Sequence, residues 1–161
     1  MKRFLIFGLI LALLCTASCR QTTYRDDVAC ETLTASVCEE IDGDEEFVPF
    51  GEEHIRYSFE DTDRFADHSL VYSVRSENID EIGVFLAKSD EDVAELRRVC
   101  EEYVRTLQKE QRAFVASYAP REATKLDNAA VRVFGRYVVY AVLDEEACEE
   151  AFSCVKEMLE E

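Results

Sequence analysis

Ile79-Asp-Glu-Ile-Gly-Val-Phe-Leu-Ala87, running straight into Lys88-Ser-Asp-Glu-Asp-Val-Ala-Glu-Leu96, is the stretch that decides the fold of this chain. Ile82, Val84 and Leu86 alternate with Glu81, Gly83 and Phe85, the period of two that puts one set on a core face of a strand. Ser89 has the side chain of a helix N-cap, and Asp90, Glu91 and Asp92 follow where their charge opposes the positive end of a helix dipole. Val93, Leu96, Val99, Cys100, Tyr103, Val104, Leu107, Phe114 and Tyr118 then recur mostly at steps of three, four or seven residues, which is one stripe of a helix. Pro120 ends it, because the residue before a proline is pushed out of the helical region. A stripe of that length has to lie on a sheet.

The C-terminal side supplies part of that sheet. Ala129 to Phe134 and Tyr137 to Leu143 read as strands joined by Gly135-Arg136, and Gly first in a two-residue loop suits a type II′ hairpin. That register pairs Phe134 with Tyr137 and Val131 with Tyr140, so Val131, Val133, Val138, Tyr140 and Val142 share the core face. Arg132, Phe134, Tyr137 and Val139 share the other. Asp144 begins a last helix with the stripe Cys148, Phe152, Val155 and Leu159. Arg121 to Leu126 makes a short helix in between.

On the N-terminal side, Leu70 to Val74 is a strand, turning through Arg75 to Asn78 into Ile79. Strand, strand, helix therefore occurs twice. The expected fold is α+β: a four-stranded antiparallel sheet made of two such units, with two main helices on one face and an N-terminal helix from Asp26 to Ile41. The amphipathic side of that first helix needs a surface, and the second sheet face would provide it. Arg132 would then stack on Phe134 or Tyr137 and pair with Glu39 or Glu40.

Between them lies an acidic, irregular segment. Phe47, Val48 and Phe50 flank Pro49 and are expected to plug the core edge. An EF-hand loop needs Gly at its sixth position and Glu at its twelfth. Counted from Asp61 those places hold Ala66 and Tyr72, and from Asp42 they hold Phe47 and Glu53. His54 and His68, with Asp61, Asp63 or Asp67, are weak candidates for a metal site; plain surface histidines are the simpler reading.

The N-terminus carries an address. Lys2-Arg3 precedes the apolar run Phe4 to Leu14, which is a secretory signal too short to span a bilayer of about 20 apolar residues. Thr16-Ala17-Ser18-Cys19 resembles the lipobox of bacterial lipoproteins. That resemblance implies cleavage before Cys19, an acylated Cys19 carrying chains such as palmitate, and a body held at the outer face of the cytoplasmic membrane. The alternative is cleavage after Ala17 with Cys19 left free. The expected organisation is a signal peptide over 1–18, a lipidated tether over 19–25 and one domain over 26–161. Of the 7 cysteines, Cys30, Cys38, Cys100, Cys148 and Cys154 lie in that domain, several of them on helix stripes, where cysteine acts as a small hydrophobe. One disulfide between the first and last helices stays open. The formal charge of −17 argues against nucleic acid and anionic lipid as partners, and a solvated acidic surface is its simplest meaning.

From Ser89 to Glu161, together with the lipobox leader, the chain resembles small bacterial lipoproteins of the domain-of-unknown-function 4358 family. The resemblance rests on the acidic helix start, Phe114, Tyr118, Pro120, Lys125-Leu126, Asn128, Gly135 and Tyr137. It implies an exported, anchored protein and defines no catalytic residues. No Gly-x-Ser-x-Gly, no triad with supporting context and no phosphate-cradling glycine loop is present. The expected function is a non-catalytic binding or interaction module, using no cofactor and taking a protein or small-molecule partner. The alternatives are a metal-binding protein using His54 and His68, or an enzyme without a recognisable motif. The candidate binding face is Phe85, Arg132, Phe134 and Tyr137, with Arg75 beside it.

Overall fold

A computed structural model of the chain describes residues 22–42, 46–59 and 65–161. The leader, Cys19, Asp61 and Asp63 lie outside the described residues. The described chain runs α1 (Cys30–Asp42), β1 (Phe47–Pro49), α2 (Glu52–Ser58), β2 (Phe65–Ser73), β3 (Glu81–Ala87), α3 (Val93–Thr106), a π turn (Leu107–Gln111), α4 (Arg112–Tyr118), α5 (Ala123–Asn128), β4 (Ala130–Phe134), β5 (Tyr137–Val142) and α6 (Glu145–Leu159).

The fold is α+β, with an antiparallel sheet of five strands rather than four, in the order β1-β2-β3-β5-β4. The extra strand is Phe47–Pro49, read from sequence as an edge plug. It pairs with the end of β2, Val48 opposite Tyr72. Proline donates no ladder hydrogen bond and so belongs on an edge strand, which is where Pro49 sits. The β4–β5 register is the one expected, Phe134 opposite Tyr137 and Val131 opposite Tyr140, and Gly135 has φ 58°.

The helices correct the expected layering. The two main helices, expected on one face, lie on opposite faces: α3 covers one, and α6 covers the other beside α1, where the sequence also seats that first helix. α3 and Ile55 of α2 pack with Phe85, Val138, Tyr140 and Val142. α1 and α6 pack together against the other face, on Ile82, Val84, Phe134, Tyr137, Val139 and Ala141. The physical reason is the composition of β5: all six of its residues are buried, so both of its faces need cover.

Two boundaries and one helix face also differ. α1 starts at Cys30 rather than Asp26, where the Cys30 amide donates to Asp67 Oδ2 of β2 at 2.8 Å. A carboxylate 37 residues away thus does the capping expected of the local aspartates. Ser89 does not open α3: its hydroxyl donates to Asp92 Oδ2 at 2.7 Å within a preceding turn, and the helix begins at Val93. Finally, Phe114 and Tyr118 are not on the buried stripe. They stack on each other in solvent, 67% and 64% exposed, while Val115 is buried. The π turn holds one residue more than an α turn and so advances the stripe by one position.

Candidate functional site

The face expected to bind, Phe85 with Arg132, Phe134 and Tyr137, is not assembled. Phe85 stands opposite Val138 on the α3 side, whereas Phe134 and Tyr137 are buried beneath α1 and α6. Arg75 is exposed beyond the end of β2. Tyr137 is tied to the segment before α1: its hydroxyl donates to the Val28 carbonyl at 2.6 Å and accepts from the Val28 amide at 3.0 Å. Arg132 does stack and pair, but on α6, not α1. Its guanidinium lies 4.4 Å above the Phe152 ring and pairs with Glu149 instead of Glu39 or Glu40. Because that pair is largely solvated, Arg132→Ala is expected to destabilise by about 1 kcal/mol. Arg132→Met, which keeps the apolar stem, should recover part of this. Equal denaturant midpoints for wild type and Arg132→Ala would count against the contact.

His54 and His68 each stack on different rings, His54 on Phe50 at 4.3 Å and His68 between Phe65 and Phe85. Among the described residues no three His, Cys, Asp or Glu side chains converge as a metal ion requires. The five cysteines of the domain are free thiols, with Cys30, Cys100 and Cys148 buried.

The structure instead brings together residues that sequence reading passed over. Glu81, the first residue of β3, is only 8% exposed. Tyr103 of α3 and Tyr140 of β5 both donate to its Oε1, at 2.7 and 2.5 Å. No donor among the described residues reaches Oε2. Gly83 allows this arrangement: a Cβ there would sit 2.0 Å from Tyr140 Cε1, so a side chain would displace the ring that holds the carboxylate. Phe59 closes the cluster from above, 4.9 Å from Phe85, 4.5 Å from Tyr103 and 6.0 Å from Tyr140. Burial raises the Glu81 pKa to about 7, against the opposing effect of the two hydroxyls. Burial and the nearby Glu81 charge push both tyrosines upward.

Glu81 lies on a cleft of 230 Å³ also lined by Phe50, His54, Tyr72, Tyr103 and Leu107. The cleft continues over the π turn toward Tyr57, which is 90% exposed. π turns inside helices are frequent at functional sites. Beside the cleft, Lys125 is nearly buried. Its ammonium donates to Asp80 Oδ1 at 2.5 Å and Asn78 Oδ1 at 3.0 Å, and pairs with Glu122 at 2.8 Å. Burial pulls the Lys125 pKa down, but its hydrogen bonds to Asp80 and Glu122 and their charges together lift it above the ordinary value. This network fastens the β2–β3 turn to α5.

A larger groove, 560 Å³, runs between α1, β1 and β2. Its hydroxyls are already paired, Thr34 Oγ1 to Ser69 Oγ at 2.7 Å, and no buried carboxylate lines it. The smaller cleft holds the more unusual chemistry. Its place in the domain is also informative. Tyr24 packs on Phe134 and approaches Gly135, and Tyr24, Ser89 and Arg136 line one hollow, so the N-terminal segment leaves from the hairpin end of the sheet. Glu81 and Ala87 are opposite ends of β3, about 20 Å apart at the rise of a strand. The cleft therefore lies at the end remote from the N-terminal segment.

Glu81 had a sequence signal: it is an acid at the start of an apolar strand, in phase with Gly83 and Phe85. Its partners Tyr103 and Tyr140 had none, being 22 and 59 residues away. Comparison with curated proteins and with solved structures returned no match. The family model for the domain of unknown function DUF4358 matches residues 43–143, from the acidic segment through β5, and the chain belongs to that family.

Proposed function

We propose that this is a lipid-anchored binding module on the outer face of the bacterial cytoplasmic membrane, with no catalytic role and no cofactor. Its partners are the membrane, through the lipid on Cys19, and a small molecule taken by the Glu81 cleft. The observation that carries the binding reading is a largely buried carboxylate, with both of its tyrosine donors on one oxygen, opening onto an aromatic-walled cleft. Its position away from the tether supports the same reading, because a domain anchored at its N-terminus would hold the cleft toward solvent. The acidic body fits this orientation, since an anionic membrane surface repels it.

Two experiments test the proposal. Cys19→Ala is expected to abolish acyl labelling and release the protein from membranes, because the anchor depends on that thiol. An unlabelled wild type, or a variant that stays labelled and membrane-bound, would end the lipoprotein reading. A thermal-shift screen of small polar molecules should find ligands that raise Tm in the wild type and lose that effect in Tyr72→Ala. If every stabilising ligand keeps its effect in Tyr72→Ala, the cleft is not the binding site.

A further inference from the structure

We propose that the Glu81 cleft binds a small organic amine, with its ammonium on the Glu81 carboxylate and its carbon skeleton against Phe50 and Tyr72. This rests on the binding reading above and adds the ligand class. Three observations point the same way. Both tyrosyl hydroxyls converge on Oε1, so Oε2 of a nine-tenths buried carboxylate has no donor among the described residues. An ammonium offers the donor and charge that oxygen lacks. The wall is aromatic: Phe50 lies between His54 at 4.3 Å and Tyr72 at 4.6 Å, and Tyr72 at the rim is 38% exposed, the kind of ring that attracts a cation.

The third observation is electrostatic. Lys125, the cation beside the cleft, is already shared by Asp80 and Glu122, and Arg98 on the outer rim pairs with Glu95 at 2.7 Å. His54 has its pKa lowered by burial, which favours the neutral ring. Among the described residues lining the cleft no uncommitted cation stands opposite Glu81, so an anionic ligand would meet its charge unopposed. The 230 Å³ volume lies below the common range for drug-sized ligands, roughly 300–1,000 Å³, and suits a short aliphatic amine. A metal ion would want more carboxylate oxygens than Glu81 supplies.

The test is calorimetric titration of the full chain with putrescine, neutral butanediol and anionic succinate at about pH 8. Putrescine should bind at least about tenfold more tightly than either analogue, since a buried charge partner is worth about that factor. Its affinity should fall by about tenfold for each pH unit below the Glu81 pKa, as the carboxyl takes up a proton. The groups facing Glu81 are Tyr103, Tyr140, His54, and Asp80 with Lys125 and Glu122. Of these only His54 is a histidine, so His54→Gln should keep the pH dependence. Glu81→Gln, which retains an acceptor for both tyrosines, should remove both the tight binding and its pH dependence. Tyr72→Ala, at the rim, should weaken binding without touching Glu81. Equal affinity for butanediol, or an unchanged Glu81→Gln, overturns the proposal. Butanediol or succinate binding that is lost in Tyr72→Ala would overturn the amine but keep the cleft as a binding site. No binding by any probe would overturn both readings.

Discussion

Phe59→Ala is expected to destabilise the domain by about 3–5 kcal/mol, the range for truncating a fully buried phenylalanine. Phe59 follows α2 directly and is completely buried. Its ring fills the space between Phe85, Tyr103 and Tyr140, three side chains from β3, α3 and β5. None of these can collapse inward without giving up another contact. Tyr103 and Tyr140 are held by Glu81, and Tyr140 is wedged over Gly83. The cavity should therefore persist, which places the loss toward the upper part of the range. Removing the ring also admits water to the Glu81 pocket and should bring its pKa down toward the ordinary carboxylate value. Urea midpoints measure the first effect. A change below about 1 kcal/mol would show that Phe59 does not seal the cluster.

Glu81→Gln should change how stability depends on pH, by about 3 kcal/mol between pH 4 and pH 8. The Glu81 pKa is about 7 in the folded chain and 4.5 in the reference state. Between those values the unfolded chain has lost the proton and the folded chain still holds it. The folded state thus binds more protons, and stability falls as pH rises through this window. Whatever stability the protonated form contributes is fully present below pH 4.5 and lost above about pH 7. Glutamine cannot ionise, so the variant escapes that loss. Its stability relative to wild type should rise steadily from pH 4.5 to 7 and then level off. The other carboxylates titrate alike in both proteins and cancel in the difference. Parallel stability curves for the two proteins across this window would show that Glu81 is not buried as described.

The sequence contained more of the layering than its alternation suggested. Tyr137 to Leu143 is apolar at every position, as is Ile82 to Ala87 apart from Gly83. Runs of that kind mark strands covered on both faces, and they argue for helices above and below the sheet. Reading only the period-two pattern put both main helices on one face and sent Phe85 to the wrong side. The edge strand at Phe47–Pro49 was harder to see, because three residues including a proline have almost no strand signal of their own and depend on β2 for pairing. The helix stripe was legible as far as Leu107. Beyond it, an α-helical count cannot foresee the extra residue of the π turn, and Phe114 and Tyr118 fell on the wrong face.

By itself the sequence determined the α+β class, the hairpin register, the two strand-to-helix transitions and the family, because these depend on neighbours within a turn or two along the chain. Tertiary structure alone decided which helix covers which face. It also decided that Asp67 rather than a local aspartate caps α1, and that Glu81 meets Tyr103 and Tyr140. The physical reason is that hydrogen bonding and desolvation act through space. A carboxylate acquires a pKa near neutrality from what surrounds it after folding, and those surroundings come from strands and helices that are far apart in the chain.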